Sequence, residues 1–158
     1  MVSGPDAGAD DTTPGDTMSG MIFVNTFVQD VAASRAFFSS LGFGFNDTFS
    51  DENTACLIIN EQAVVMLLNV PRFKDFIRDD VADLSTSREM LLAVSADSKE
   101  AVDAMADAAL AAGGSDWMDP QDHGFMYGRS FRDLDGHVWE VTWMDPAVAS
   151  GEASPPDM

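Results

Sequence analysis

Two stretches, VQDVAASRAFFSSLG at residues 28–42 and SADSKEAVDAMADAALAAGG at residues 95–114, follow one plan. Each leaves an apolar strand, passes an Asp able to cap a helix, runs several turns and stops at glycine. In the second, Asp97 is the expected cap with Glu100 reaching back, and Val102, Met105, Ala106, Ala109 and Leu110 make one apolar stripe. Laid over each other with Asp30 on Asp97, the two helices start and end together. The chain reads as an internal duplication.

Outward from the first helix (31–41), residues 22–28 read as a strand before it and residues 43–49, 55–59 and 63–69 as three strands after it. The second pass gives a strand at 90–95, a helix at 98–112, and strands near 115–118, 125–131 and 138–144. Both passes are βαβββ. Module one spans 21–70 and module two 89–145, and together they form a single α+β domain over 21–145. The connector 71–88 suits a short helix begun by Pro71 and carrying Phe73, Phe76 and Ile77, placed to cover the mouth of a cavity. Residues 1–20, acidic and rich in Gly, Pro, Asp and Thr, and residues 146–158 are expected to be disordered tails.

A net charge of -19, from 27 acidic against 8 basic residues, sets nucleic acid and anionic membrane aside as partners, because the overall field repels both. Four of the eight cations (Arg72, Lys74, Arg78 and Arg88) fall between residues 72 and 88. They make either a solvated helix face or a positive rim for an anionic ligand. The N-terminal residues carry neither the basic start nor the apolar run of a signal peptide, so a cytoplasmic location is expected. Cys56, the single cysteine, lies in an apolar run and reads as a small hydrophobe. The stretches 55–59 and 63–68 are apolar on both alternating faces, so both faces must be shielded from water. Helices cover one face. The other lines an internal cup, a dimer interface or both.

The last strand carries one discordant residue. In FRDLDGHVWEVTW, residues 131–143, Glu140 stands among β-branched and aromatic side chains after a turn that needs Gly136. Such a carboxylate requires a metal, a hydrogen-bonding partner or a proton. His137 is expected to serve only the turn. Tyr127 and Arg129 share one face of their strand and Met126, Gly128 and Ser130 the other, with Arg129 expected to pair with a surface acid and Trp139 and Trp143 expected to face away from Glu140.

The duplication, the opening stretch FVNTFVQDVAASRAFFSSLGF (23–43) and the closing stretch DLDGHVWE (133–140) resemble the vicinal oxygen chelate superfamily. That group holds glyoxalase I, bleomycin- and fosfomycin-resistance proteins and extradiol dioxygenases. The stretch DHGFMYGRS (122–130) is most similar to its bacterial lactoylglutathione lyase-like branch. The resemblance implies a curved, mostly antiparallel eight-stranded half-barrel whose concave side forms a central cup. It also implies metal-ligand positions on the first and last strand of each module. Here those positions hold Phe23, Met66, Met90 or Leu91, and Glu140, of which only Glu140 can bind a divalent metal. No cofactor is therefore expected, a divalent metal being the disfavoured alternative.

Within the cup the expected ligand contacts are Phe23, Asn25, Met66, Leu91 and Ser130. Glu140 is the candidate proton carrier or orienting acceptor, or else a structural carboxylate bonded to a neighbour, and His123 is a second candidate proton carrier. The expected function is metal-independent binding of a small, largely apolar molecule by a homodimer. The alternative is a glyoxalase-like lyase or isomerase in which Glu140 moves a proton.

Overall fold

A computed structural model describes residues 20–156, so the expected N-terminal tail lies almost wholly outside the described residues. Module one contains β1 (Ile22–Val28), α1 (Val31–Ser40), β2 (Gly44–Phe45), β3 (Thr54–Asn60) and β4 (Ala63–Asn69). After α2 (Val70–Lys74), module two contains β5 (Leu91–Ser95), α3 (Lys99–Ala111), β6 (Ser115–Asp116), β7 (Gln121–Asp122), β8 (Met126–Arg132) and β9 (Val138–Met144). The sheets run β1-β4-β3-β2 and β5-β9-β8-β6, with β7 added against β8. In each, the first strand lies parallel to the last and the other pairs are antiparallel. The expected architecture of two βαβββ modules with open, mostly antiparallel sheets holds. Among the described residues there are nine strands rather than eight, because residues 121–122 fold back on β8 as a hairpin.

Side-chain chemistry sets the ends of these elements. Asp30 caps α1 through a 3.0 Å bond from the Ala33 amide, and Gly42 at φ 100° closes it. The cap of α3 is Ser98, not Asp97: its hydroxyl accepts from the Ala101 amide at 3.0 Å. This shifts the overlay by one residue and makes Leu91 the counterpart of Phe23. The strand expected over 43–49 breaks after Phe45, where the Asn46 side chain takes the Thr48 amide and residues 47–49 turn as a 3-10 helix. At the C-terminal side, Asp145 caps a one-turn helix, α4 (Pro146–Ala149), inside the stretch expected to be a tail.

The core lies between the modules. Val28, Ala55, Leu57, Val65 and Leu67 turn one face of sheet one inward, and Phe131 and Trp139 do the same for sheet two. Phe37 and Phe38 of α1 fill the gap, with Phe38 4.9 Å from the Trp139 ring and Phe37 6.3 Å from Phe131. Trp139 thus faces away from Glu140, as alternation requires. Among the described glycines Gly114 is the most crowded: an added Cβ would meet the carbonyl oxygens of Arg132 at 2.7 Å and Ala109 at 2.8 Å. Gly114→Ala is therefore expected to destabilise the fold by about 2 kcal/mol, read as a lower denaturation midpoint with unchanged slope.

The turn between β8 and β9 ties the modules together. Asp133 accepts hydrogen bonds from the amides of Asp135 (2.9 Å) and His137 (3.1 Å) and from the Trp139 indole (3.0 Å). So held, Asp135 accepts from the Gln29 amide at 2.8 Å, and His137 donates through Nε2 to the Phe27 carbonyl at 2.6 Å. The expectation that His137 serves only the turn is corrected: it is 8% exposed and grips β1 of the other module. Burial pushes the Asp133 carboxyl above its ordinary pKa, against the opposing influence of His137 and the indole donor. Among the described residues no helix is long and apolar enough to cross a membrane.

Candidate functional site

Because the modules meet through their helix-bearing faces, their other faces point away from the core. On sheet one this outer face carries Phe23, Asn25 and Phe27 from β1, Val64, Met66 and Leu68 from β4, and Thr54 and Cys56 from β3, with Asn25 opposite Met66 and Met66 opposite Cys56. Its deeper part is closed. Leu68 is 4% exposed and Cys56 2%, and Phe49 and Phe76 flank a hollow over Asn25 and Met66. Burial pushes the Cys56 thiol upward in pKa, which fits a packed hydrophobe rather than a reactive group.

On sheet two the outer face carries Leu91, Ala93 and Ser95 from β5, Val138, Glu140 and Thr142 from β9, and Met126, Gly128, Ser130 and Arg132 from β8. Glu140 sits between Ala93 and Ser130 in the ladder, half-buried. It borders a hollow of about 200 Å³ with Met118, Asp119, Gln121, Met126, Ser130 and Thr142. Among the described residues it forms no salt bridge: Arg129 sends its guanidinium through the sheet's other face to Asp103 (3.2 Å) and Asp107 (2.8 Å). The Tyr127 hydroxyl donates to Asp103 at 2.6 Å, and together with Arg129 it holds that carboxyl below its usual pKa. Arg129 pairs with surface acids as expected, and Glu140 is left without a cation.

The candidate residues do not converge in one chain. Glu140 and Ser130 share the hollow on sheet two, with the Ser130 hydroxyl accepting from the Met118 amide at 3.1 Å. Asn25 and Met66 share the hollow on sheet one. Phe23 (58% exposed) and Leu91 (53%) stand on β1 and β5, each paired on one side only. His123 is exposed at the tip of the β7–β8 hairpin and is not part of the Glu140 hollow. Asn25, and Met90 as the alternative to Leu91, reach a second cavity of about 330 Å³ that spans both modules, roofed by Phe73, Ile77, Val81 and Leu84 of the connector. The connector therefore covers a cavity, as its sequence suggested, though one set apart from Glu140.

A family model described as the glyoxalase/bleomycin resistance protein/dioxygenase superfamily matches residues 20–141. The chain belongs to that superfamily. Among solved structures, this superfamily member is similar to a hypothetical protein from S. aureus, with 25% identity over 81% of this chain and 95% of the other and a TM-score of 0.68. It shares its fold with a glyoxalase/bleomycin resistance protein/dioxygenase family enzyme from Burkholderia phytofirmans PsJN (21% identity, 77% and 96% covered, TM-score 0.64). The fold is also that of a Listeria monocytogenes fosfomycin resistance protein whose structure holds Mn(II) and sulfate (16% identity, 86% and 98% covered, TM-score 0.60). No curated protein matches the sequence.

The metal implied by the superfamily does not fit these residues. Glu140 has Ala93 beside it on β5, and the equivalent pair on sheet one is Met66 beside Asn25. Among the described residues, no three His, Cys, Asp or Glu side chains come close enough together to hold a metal ion. Gln121 and Asp119, at the rim of the Glu140 hollow, were missed by sequence reasoning. Gln121 stands on the two-residue β7 and Asp119 in the loop before it, too few residues for a periodic signal.

Proposed function

We propose that the chain binds a small, largely apolar molecule against the Glu140 face of β8 and β9, without the superfamily's metal, as a cytoplasmic homodimer. Glu140, half-buried and without a side-chain partner among the described residues, in a hollow where Met118, Met126, Gly128 and Thr142 stand beside Asp119, Gln121, Arg129 and Ser130, carries this reading. A carboxylate in such a place is available to a donor or a proton on a ligand. The hollow of about 200 Å³ lies below the roughly 300–1,000 Å³ of small-molecule sites. The reading therefore takes the second wall from module one of another copy, where Phe23, Asn25 and Met66 face outward.

The free carboxylate also favours one alternative, a glyoxalase-like lyase or isomerase in which Glu140 takes a proton next to a bound carbonyl. One experiment separates the readings. Protein purified without tag or chelator is titrated with the uncharged dye N-phenyl-1-naphthylamine, and is assayed with the hemithioacetal of methylglyoxal and glutathione. Saturable dye binding unchanged by EDTA, no turnover and far less than one metal per chain are expected. Near-stoichiometric metal that disappears in Glu140→Gln would overturn the metal-free reading. Turnover lost in a folded Glu140→Gln would establish the lyase.

A further inference from the structure

With 27 acids for 8 cations, every lysine and arginine has carboxylates to choose from. Arg35, Arg72, Lys74 and Lys99 each take one, Arg129 takes two, and the exposed Arg78 takes none among the described residues. Arg88 and Arg132, although half-buried, pair with none among the described residues. They meet instead at Trp117, whose ring centre lies 4.7 Å from the Arg88 guanidinium carbon and 5.7 Å from that of Arg132. Both Nε atoms are covered by protein and have no acceptor. Arg88 gives one terminal nitrogen to the carbonyls of Leu84 and Ser87, while Arg132 donates no side-chain hydrogen bond to any described residue. A guanidinium held so, without a counter-charge, is costly unless its free nitrogens meet negative charge.

The surroundings hold this pair at the end of the sheet face that carries Glu140, next to its hollow but not among the residues that line it. Arg132 occupies the outer-face position of β8 next to Ser130, and Ser130 faces Glu140 across the ladder. The Ser130 hydroxyl also fixes the loop that carries Trp117 by accepting from the Met118 amide. Arg88 closes the connector and borders the larger cavity beside Met90 and Val138. Two arginines from separate segments thus converge on one indole at the edge of the Glu140 face, in a chain whose net charge of -19 disfavours anions.

We infer that Arg88 and Arg132 bind an oxyanion, a carboxylate or phosphate-type group, at one end of the ligand whose apolar body lies toward Glu140. Planar guanidinium groups present paired N–H donors matched to two oxygens of such a group. The inference rests on the reading of the Glu140 face as a ligand site and names the chemical class of that ligand.

The test follows the Trp117 indole N–H signal by NMR, assigned with Trp117→Phe, during titrations with inorganic phosphate and with acetate at an ionic strength of about 0.15 M, where exposed charges are largely screened. A saturable shift is expected, weakened about tenfold by Arg132→Gln and by Arg88→Gln and left unchanged by Arg78→Gln. Either arginine variant alone decides the matter if the other fails to fold. Saturation with phosphate alone marks a phosphate-type group, and saturation with acetate marks a carboxylate. A linear drift that is the same in every variant overturns the inference. Dye binding without an anion shift leaves the apolar site standing and removes its anionic end, whereas an anion shift without dye binding does the reverse.

Discussion

Asp133→Ala is expected to destabilise the chain by about 3–5 kcal/mol, from loss of the acceptor for buried donors and collapse of the turn. Three donors converge on this carboxylate, two of them buried: the His137 amide and the Trp139 indole, the latter on a side chain 1% exposed. Alanine leaves both without an acceptor and opens a hole beside the largest ring of the core. The loss spreads, because the same turn aims Asp135 at the Gln29 amide and His137 at the Phe27 carbonyl. Module contact and turn geometry should therefore fail together. Thermal unfolding followed by near-ultraviolet circular dichroism is expected to show a midpoint lower by about 10 °C or more. Asp133→Asn separates the contributions: its amide oxygen still accepts from the backbone, but its NH₂ group faces the indole N–H, so about half the effect should remain. A midpoint within 2–3 °C of wild type for Asp133→Ala would show that the turn does not hold the modules together.

This turn marks how far the sequence could be read. The pattern DLDGH announced a tight turn, and Gly136 at φ 92° confirms why glycine stands there. The partners of Asp135 and His137 lie more than 100 residues away, on β1 and the loop after it. No local periodicity carries such a contact. The modules themselves were legible because α1 and α3 each show an apolar stripe bounded by a cap and a glycine, and both signals act within a few turns. The strand at 43–49 misled because side-chain bonds from Asn46 and Ser50 outcompete the ladder there.

The candidate residues could be placed on their sheet faces one by one from the sequence, but not as an assembly. Alternation along β9 and β8 placed Glu140 and Ser130 on one face, where they are. Alternation cannot say which faces of two modules meet, and in this chain the helix-bearing faces do. Phe23, Asn25 and Met66 consequently lie on a different surface from Glu140 and Ser130. The cationic stretch 72–88 was equally ambiguous as a string of letters. Arg72 and Lys74 prove to be paired with Asp75 and Asp80, and Arg88 leaves the group for Trp117, 29 residues on.

That separation of faces gives the second large expected effect. Among the described residues β1 and β5 end their sheets, so each offers a row of backbone groups unpaired within that set, and each shows large apolar side chains to water: Ile22 at 59% exposed and Phe23 at 58% on β1, Leu91 at 53% on β5. Exposed apolar edges of this kind invite another strand. In the homodimer we propose, a two-fold axis would set the β1 edge of one chain against the β5 edge of the other twice, and each junction would bring an Asn25–Met66 wall to a Glu140 wall. A charge in such a junction weakens association by about 100-fold, close to 3 kcal/mol. Phe23→Asp and Leu91→Lys alone are thus each expected to sediment as monomers and to lose the bound dye, although Glu140 is untouched. Mixed together, they should recover. One junction of the mixed dimer then carries neither change, while the other sets Asp against Lys, opposite charges that tolerate each other. The mixture should bind one dye per dimer with wild-type affinity. Two folded monomeric variants that each retain full dye binding would place the whole cup within one chain. A mixture that stays monomeric and dark would break the link between the strand edges and the site.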